Sequence, residues 1–110
     1  MVRDFGAKEI YFVSACPPIT HPCFYGVDIP TRAELIASNE SVDEIRKHID
    51  ADVLLYQELD DLIEAVTRRG EHDIYRPCAA CLDGNYITGG VDEERMLQLE
   101  QQRNAERAIK

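Results

Sequence analysis

The sequence contains no tryptophan and only three Phe and five Tyr, so it offers no aromatic platform on which nucleic-acid bases could stack. Positive charge is also scarce. Twelve Lys and Arg face twenty-one Asp and Glu, a formal charge of −9, and such a surface repels a phosphate backbone. Nucleic acid is therefore not an expected partner. Long apolar runs are missing too: charge interrupts every hydrophobic cluster within about eight positions, well short of the roughly 20 residues that span a bilayer. The five Pro and six Gly are scattered, and no repeat or low-complexity tract occurs, which excludes collagen-like, mucin-like and disordered chains. What is present, 45% hydrophobic and 30% charged residues in a 110-residue chain, is the composition of an acidic globular domain with one core.

Val13-Ser14-Ala15-Cys16 imitates a lipoprotein cleavage box with Cys16 as the lipidated residue. Its flanks argue against export. Asp4 and Glu9 offset Arg3 and Lys8, and only Ile10 to Val13 is continuously apolar, too little for a signal peptide. A cytoplasmic location is expected, where the four cysteines stay reduced or metal-bound.

Along the chain, Gly6-Ala7-Lys8 reads as the end of a helix. Ile10 to Val13 is a short β-rich run, expected to be a strand buried on both faces. From Pro17 to Pro30 there are too many breakers for regular structure, and a long ordered loop of this kind tends to be functional. Thr31-Arg32-Ala33-Glu34 and Ser41-Val42-Asp43-Glu44 are capping boxes that start two short helices, with Leu35 and Ile36 inward on the first and Val42, Ile45 and Ile49 inward on the second. Ala51 to Tyr56 predicts a second buried strand. Leu59, Leu62, Ile63 and Val66 then recur at helical spacing, with Gly70 past Arg68 and Arg69 as the stop. Asn85 to Thr88 predicts a third strand, and Asp92 to Lys110 a polar helix whose small apolar patch, Met96, Leu97 and Leu99, needs a partner surface.

Strands and helices in alternation imply an α/β fold with a parallel sheet. Two or three strands cannot cover both faces of such a sheet, so the chain is expected to be part of a larger domain.

Cys78-x-x-Cys81 followed by Gly84 is the most specific local signal, because two thiolates at that spacing can hold one metal centre. The alternative treats Cys16, Cys23, Cys78 and Cys81 as small buried hydrophobes. A redox dithiol is disfavoured, since Pro77 and Leu82-Asp83-Gly84 bracket a turn rather than a strand-to-helix junction. Asp60-Asp61 after Val53 to Tyr56 mimics a phosphoribosyl-binding acidic pair, but Leu62 to Ala65 continues a helix where a small-residue phosphate loop is required. The pair is read as a helix N-terminus. His21, His48 and His72 sit in no nucleophile arrangement and are read as packing or surface residues. Asp28 stands at a loop apex just before a helix.

Taken in order, Gly6-Ala7-Lys8, Ser14-Ala15-Cys16-Pro17-Pro18, Tyr25-Gly26-Val27-Asp28-Ile29-Pro30, Glu34-Leu35-Ile36-Ala37, Val42-Asp43-Glu44-Ile45-Arg46 and Gly84-Asn85-Tyr86-Ile87-Thr88-Gly89 form a pattern. It resembles the C-terminal part of the glutamine phosphoribosylpyrophosphate amidotransferase family from about Val2 to Leu99. The resemblance implies the distal half of a type I phosphoribosyltransferase parallel-sheet domain over residues 1–90 and a C-terminal helix over residues 91–110.

It further implies an enzyme that makes phosphoribosylamine from phosphoribosyl pyrophosphate (PRPP) and glutamine, the first step of purine synthesis. An N-terminal glutaminase would release ammonia into a channel leading to the transferase site. The glutaminase, the phosphate-cradling loop and the magnesium-binding acids have no counterpart in this chain, so the chain alone is expected to be inactive. Asp28 matches an acid bordering the transferase site, and Leu35 matches a channel-lining residue. Cys23, Cys78 and Cys81 match three of the four ligands of the [4Fe–4S] cluster found in some members, with the fourth ligand upstream, while Cys16 matches none. Feedback by purine nucleotides and a homo-oligomeric full-length enzyme are also implied. Two alternatives stand beside this reading: a four-cysteine zinc-binding interaction module, and a regulatory or scaffolding subunit that docks through its last helix.

Overall fold

A computed structural model describes residues 2–68 and 76–108. Two strands, β1 (Tyr11–Ser14) and β2 (Val53–Tyr56), pair in parallel, with Tyr11 opposite Val53 and Ser14 opposite Tyr56. Between them lie the Pro-rich loop, a 3-10 turn (Arg32–Glu34), and helices α1 (Ile36–Asn39) and α2 (Val42–His48). After β2 come α3 (Leu59–Arg68), the single turn α4 (Ala80–Asp83) and the long helix α5 (Glu93–Ala108). This is an α/β arrangement with a parallel sheet, as the alternation of elements implies.

Local chemistry explains the element starts. In both capping boxes the Glu carboxylate accepts from the backbone N–H and the hydroxyl of the capping residue: Glu34 from Thr31 at 3.1 and 2.9 Å, Glu44 from Ser41 at 2.7 Å each. Gly6 closes a 3-10 turn (Arg3–Phe5) in the left-handed conformation, donating to the Arg3 carbonyl. Arg3 then reaches Asp50 and Asp52 at 2.8 Å, and the same Asp52 oxygen accepts from the Ile10 N–H at 2.7 Å. Asp52 interrupts an apolar run because it latches the entrance to β1.

The sheet is not buried as its composition suggests. Tyr11, Phe12 and Val13 are 62, 53 and 68% exposed, and Leu55 is 55% exposed. The strand is apolar on both sides but has only β2 beside it among the described residues. On β2, Leu54 is buried where α2 packs, together with Ile45. Ile36, Val42, Ile49 and Val66 are only partly covered among the described residues, 39 to 50% exposed where an inward position was expected. Arg69, Gly70 and His72 lie outside the described residues, as do Ile109 and Lys110.

The expected third strand is absent. Asn85 and Tyr86 are irregular and Ile87-Thr88 form a turn closed by Gly89 N–H to the Tyr86 carbonyl at 2.9 Å. The Tyr86 ring is buried with Ala80 and Met96, with Phe24 and Val91 packed around them. One large ring drawn inward by α5 decides this segment, and its N–H groups donate to Asp83, to the Tyr25 hydroxyl and to the Tyr86 carbonyl instead of entering a ladder. The radius of gyration, 17.0 Å, exceeds the roughly 13 Å of a closed domain this long. The principal extents of 49 × 45 × 23 Å describe a slab, so the apolar material is divided between this cluster and the α2–β2 contact rather than gathered in one core.

Candidate functional site

The loop after β1 is held to α4 and then to α5. The Thr20 and His21 N–H groups both donate to the Cys81 carbonyl at 3.0 Å, and the Thr20 hydroxyl donates to the Leu82 carbonyl at 3.0 Å. The His21 ring lies over Gly84, where a β-carbon would stand 2.7 Å from Nε2, and Gly84 caps α4 at φ +72°. His21 is thus a packing residue, half-buried and hydrogen-bonded to Thr20 at 2.8 Å. Pro22 is fully buried, and its carbonyl accepts the Tyr86 hydroxyl at 2.6 Å. Burial, with the Cys23 and Cys81 thiols nearby, pushes the Tyr86 phenol up to about 12, so it remains a donor.

Three arginines carry the loop onto α5 or back from it. Arg32 meets Glu100 through its backbone N–H and its guanidinium at 2.8 to 3.1 Å, and reaches Glu93 at 2.8 Å. Arg103 donates to the carbonyls of both Cys23 and Ile29, and its guanidinium carbon lies 6.0 Å from the Phe24 ring centroid. Arg107 bonds Glu34 at 3.0 Å and touches Asp28 at 3.5 Å. Glu93, Met96, Glu100, Arg103 and Arg107 recur every three or four residues, so α5 meets the loop through one stripe. Sequence reasoning looked for an apolar partner surface and passed over this stripe because it is mostly charged.

Asp28 is 85% exposed at the loop apex beside Arg107. Leu35, half-buried, lines a cavity of about 230 Å³ with Ser14, Cys16, Pro17, Ile36 and Tyr56. A second cavity of about 420 Å³ shares Pro17 and Tyr56 and extends to Leu54, Leu59 and Leu82. Both open at the carboxyl ends of the parallel strands, where α/β sheets place ligands. Asp28 and Leu35 do not share a cavity among those described; Arg107, bonded to both Asp28 and Glu34, is their nearest link.

The cysteines lie in different settings. Cys23 is buried, with its Sγ accepting from the Tyr25 N–H at 3.4 Å, while Cys81 is half-buried and Cys78 and Cys16 are exposed. Burial pushes the Cys81 thiol up, and repulsion from Cys23, Cys16 and Cys78 adds to it. Among the described residues no three His, Cys, Asp or Glu side chains are gathered to hold a metal ion. Asp60 and Asp61 occupy the first turn of α3.

Comparison with known proteins decides the ancestry. The chain is 46% identical over 104 residues to an amidophosphoribosyltransferase of Pseudomonas aeruginosa, which covers 94% of this chain and 21% of that protein. It is 43% identical over 88 residues to the Bacillus subtilis amidophosphoribosyltransferase, covering 80% of this chain and 18% of the relative. This chain is a relative of the amidophosphoribosyltransferases. It matches their C-terminal part and spans about a fifth of their length. Among solved structures, glutamine PRPP amidotransferase from Bacillus subtilis complexed with ADP and GMP superposes with a TM-score of 0.70 at 41% identity, over 84% of this chain and 20% of that one. A structure described as the allosteric regulatory enzyme of purine biosynthesis also gives 0.70, at 39% identity, over 91% of this chain and 22% of that one. No family model matches the chain. No helix among the described residues is long and apolar enough to cross a membrane.

Proposed function

We propose that the chain supplies the distal, C-terminal part of a cytoplasmic amidophosphoribosyltransferase. The observation that carries this reading is 46% identity across nearly the whole chain, joined to the same fold at a TM-score of 0.70. The zinc module and the docking subunit are not favoured, since neither accounts for that identity.

In the reaction, ammonia released from glutamine attacks C1 of PRPP. The C–N bond forms as the bond from C1 to pyrophosphate breaks, and the nitrogen gives up a proton to leave phosphoribosylamine and pyrophosphate. Asp28 would border that site, where its carboxylate can accept an N–H or ribose hydroxyl. Leu35 would line the route of ammonia: an apolar wall keeps the nitrogen unprotonated, and only the unprotonated form has a lone pair for attack. The phosphate cradle, the magnesium ligands and the glutaminase nucleophile come from the part of the enzyme outside this match, so this chain alone makes no phosphoribosylamine. Full-length assembly as a homo-oligomer and control by purine nucleotides belong to the same proposal, and the solved relative with ADP and GMP supports the second.

The test is a graft. This chain replaces the matching fifth of the Pseudomonas aeruginosa relative, and PRPP-dependent pyrophosphate release is measured with glutamine and with ammonia. Activity with both donors is expected. Leu35→Ala should lose glutamine-dependent turnover more than ammonia-dependent turnover, and Asp28→Ala should lower both. An inactive but folded graft would refute the reading.

A further inference from the structure

Asp28 sits at the centre of a tight reversal. The Ile29 N–H donates to the Val27 carbonyl at 2.8 Å, which closes a three-residue γ-turn around Asp28. Among the described residues Asp50 is the one non-glycine with a positive φ, so the turn at Asp28 has the relaxed, inverse form. Its central side chain stands away from the hydrogen-bonded ring, and the Asp28 carboxylate is accordingly 85% exposed. The direction of that carboxylate depends on how the flanking chain is held.

The downstream end is held by Arg103 at the Ile29 carbonyl. Upstream stands Gly26 at φ +110°, a conformation that favours glycine, with nothing within 4 Å of where a β-carbon would lie. Gly26 leaves the turn free to swivel. The residue before it removes that freedom: the Tyr25 hydroxyl accepts from the Thr88 N–H at 3.2 Å and shares a second hydrogen bond with the Thr88 hydroxyl at 3.1 Å. The clamp spans 63 residues and fixes Tyr25 to the turn that closes at Gly89. Its ring also rests edge-on against Tyr86, with centroids 6.0 Å apart. Folding alone does not account for the clamp, because Tyr25 and Thr88 are both exposed and a hydrogen bond open to water contributes only modestly to stability.

We propose that Tyr25 is a positioning residue for Asp28 in the transfer of ammonia to PRPP: its hydroxyl, clamped on Thr88, sets the direction in which the γ-turn presents the carboxylate. The proposal rests on the function given above, in which Asp28 borders the transferase site. The experiment is a double-mutant cycle in the graft of this chain into the Pseudomonas aeruginosa relative, read as PRPP-dependent pyrophosphate release with ammonia as donor. Tyr25→Phe keeps the ring and removes the clamp. It is expected to lower kcat/KM about tenfold or more, since displacing a group at a reacting centre by about an ångström is that costly. In the Asp28→Ala background the same change should cost less than about twofold, because the group it positions is gone.

A loss of folded protein lowers the rate with and without Asp28 alike, so the cycle separates positioning from stability. Thr88→Val breaks the clamp from the other side and should repeat the result even where Tyr25→Phe does not fold. Thr88→Ser, which keeps the hydroxyl and the N–H, should recover the rate that Thr88→Val loses. An equal loss from breaking the clamp in both backgrounds, or no loss in either, overturns the proposal. The two readings fail differently. An inactive parent graft, or an active graft that Asp28→Ala leaves unimpaired, removes Asp28 from the transferase site and this proposal with it. An active graft that Asp28→Ala impairs but that is indifferent to the clamp removes the positioning role alone.

Discussion

Arg32 and Glu100 stand 68 residues apart in sequence and are joined by three hydrogen bonds, two of them from the guanidinium. Their side chains are only 25 and 12% exposed, so the pair acts where water competes weakly. It is the main pin between α5 and the start of the 3-10 turn that leads to Leu35.

Burial opposes ionisation of Glu100, but the Arg32 hydrogen bonds outweigh it and hold the carboxyl below its ordinary value. A carboxyl lowered by folding stabilises above its unfolded pKa, and that contribution is lost as pH falls through the folded value. Thermal melts should therefore be flat through neutral pH and fall below about pH 4. Glu100→Gln should lower stability by about 2 kcal/mol at pH 7, since the half-buried arginine keeps only the exposed Glu93 as counter-charge, and should blunt the acid loss.

Arg103 ties two carbonyls six residues apart, those of Cys23 and Ile29, and so fixes both ends of the segment bearing Asp28. Arg103→Ala should raise amide hydrogen exchange across Tyr25 to Ile29 while leaving β1 and β2 unchanged. Arg103→Lys should rescue this only in part, because one ammonium cannot span two carbonyls as a planar fork does.

Tyr86→Phe removes the donor to the buried Pro22 carbonyl and should cost about 1 to 2 kcal/mol in urea unfolding. In an alkaline ultraviolet titration the parent should show one tyrosine that ionises last, near the value of about 12 that burial imposes, and the variant should lack that step.

Gly84→Ala would place a β-carbon against the His21 ring at a positive φ. The expected loss is about 1 to 3 kcal/mol. In the double variant with His21→Ala the steric part should be relieved and the backbone part should remain.

The resemblance offers three cluster ligands, Cys23, Cys78 and Cys81, and would draw the fourth from elsewhere in the enzyme, so metal analysis of the anaerobically purified chain should find less than one full iron–sulfur cluster per chain. Stoichiometric iron with sulfide, or one zinc, would show that the thiols converge in solution.

Much of the local structure was legible in the chain. The capping boxes name their hydroxyl and carboxylate in order, Gly6 and Gly84 mark the chain reversals, and Leu59, Leu62 and Ile63 state a helical period; each depends on contacts a few residues apart. The ordered motifs from Gly6 to Gly89 led to the amidotransferase relatives. What failed depends on distant neighbours. Asn85 to Thr88 has the composition of a strand, yet Tyr86 is drawn into the cluster with Ala80 and Met96. Ile10 to Val13 has the composition of a buried strand, yet Tyr11 to Val13 stand in water.

The sequence by itself determined where helices begin, which runs extend, and which family the residues follow, because capping, turn chemistry and periodicity act between near neighbours along the chain. Only the tertiary structure decided that α5 meets the Asp28 loop through Arg32, Arg103 and Arg107 and that, among the described residues, one face of the sheet stays open. Ion pairs across 60 or more residues, and the covering of a face, depend on which surfaces meet in space, and no local pattern encodes that.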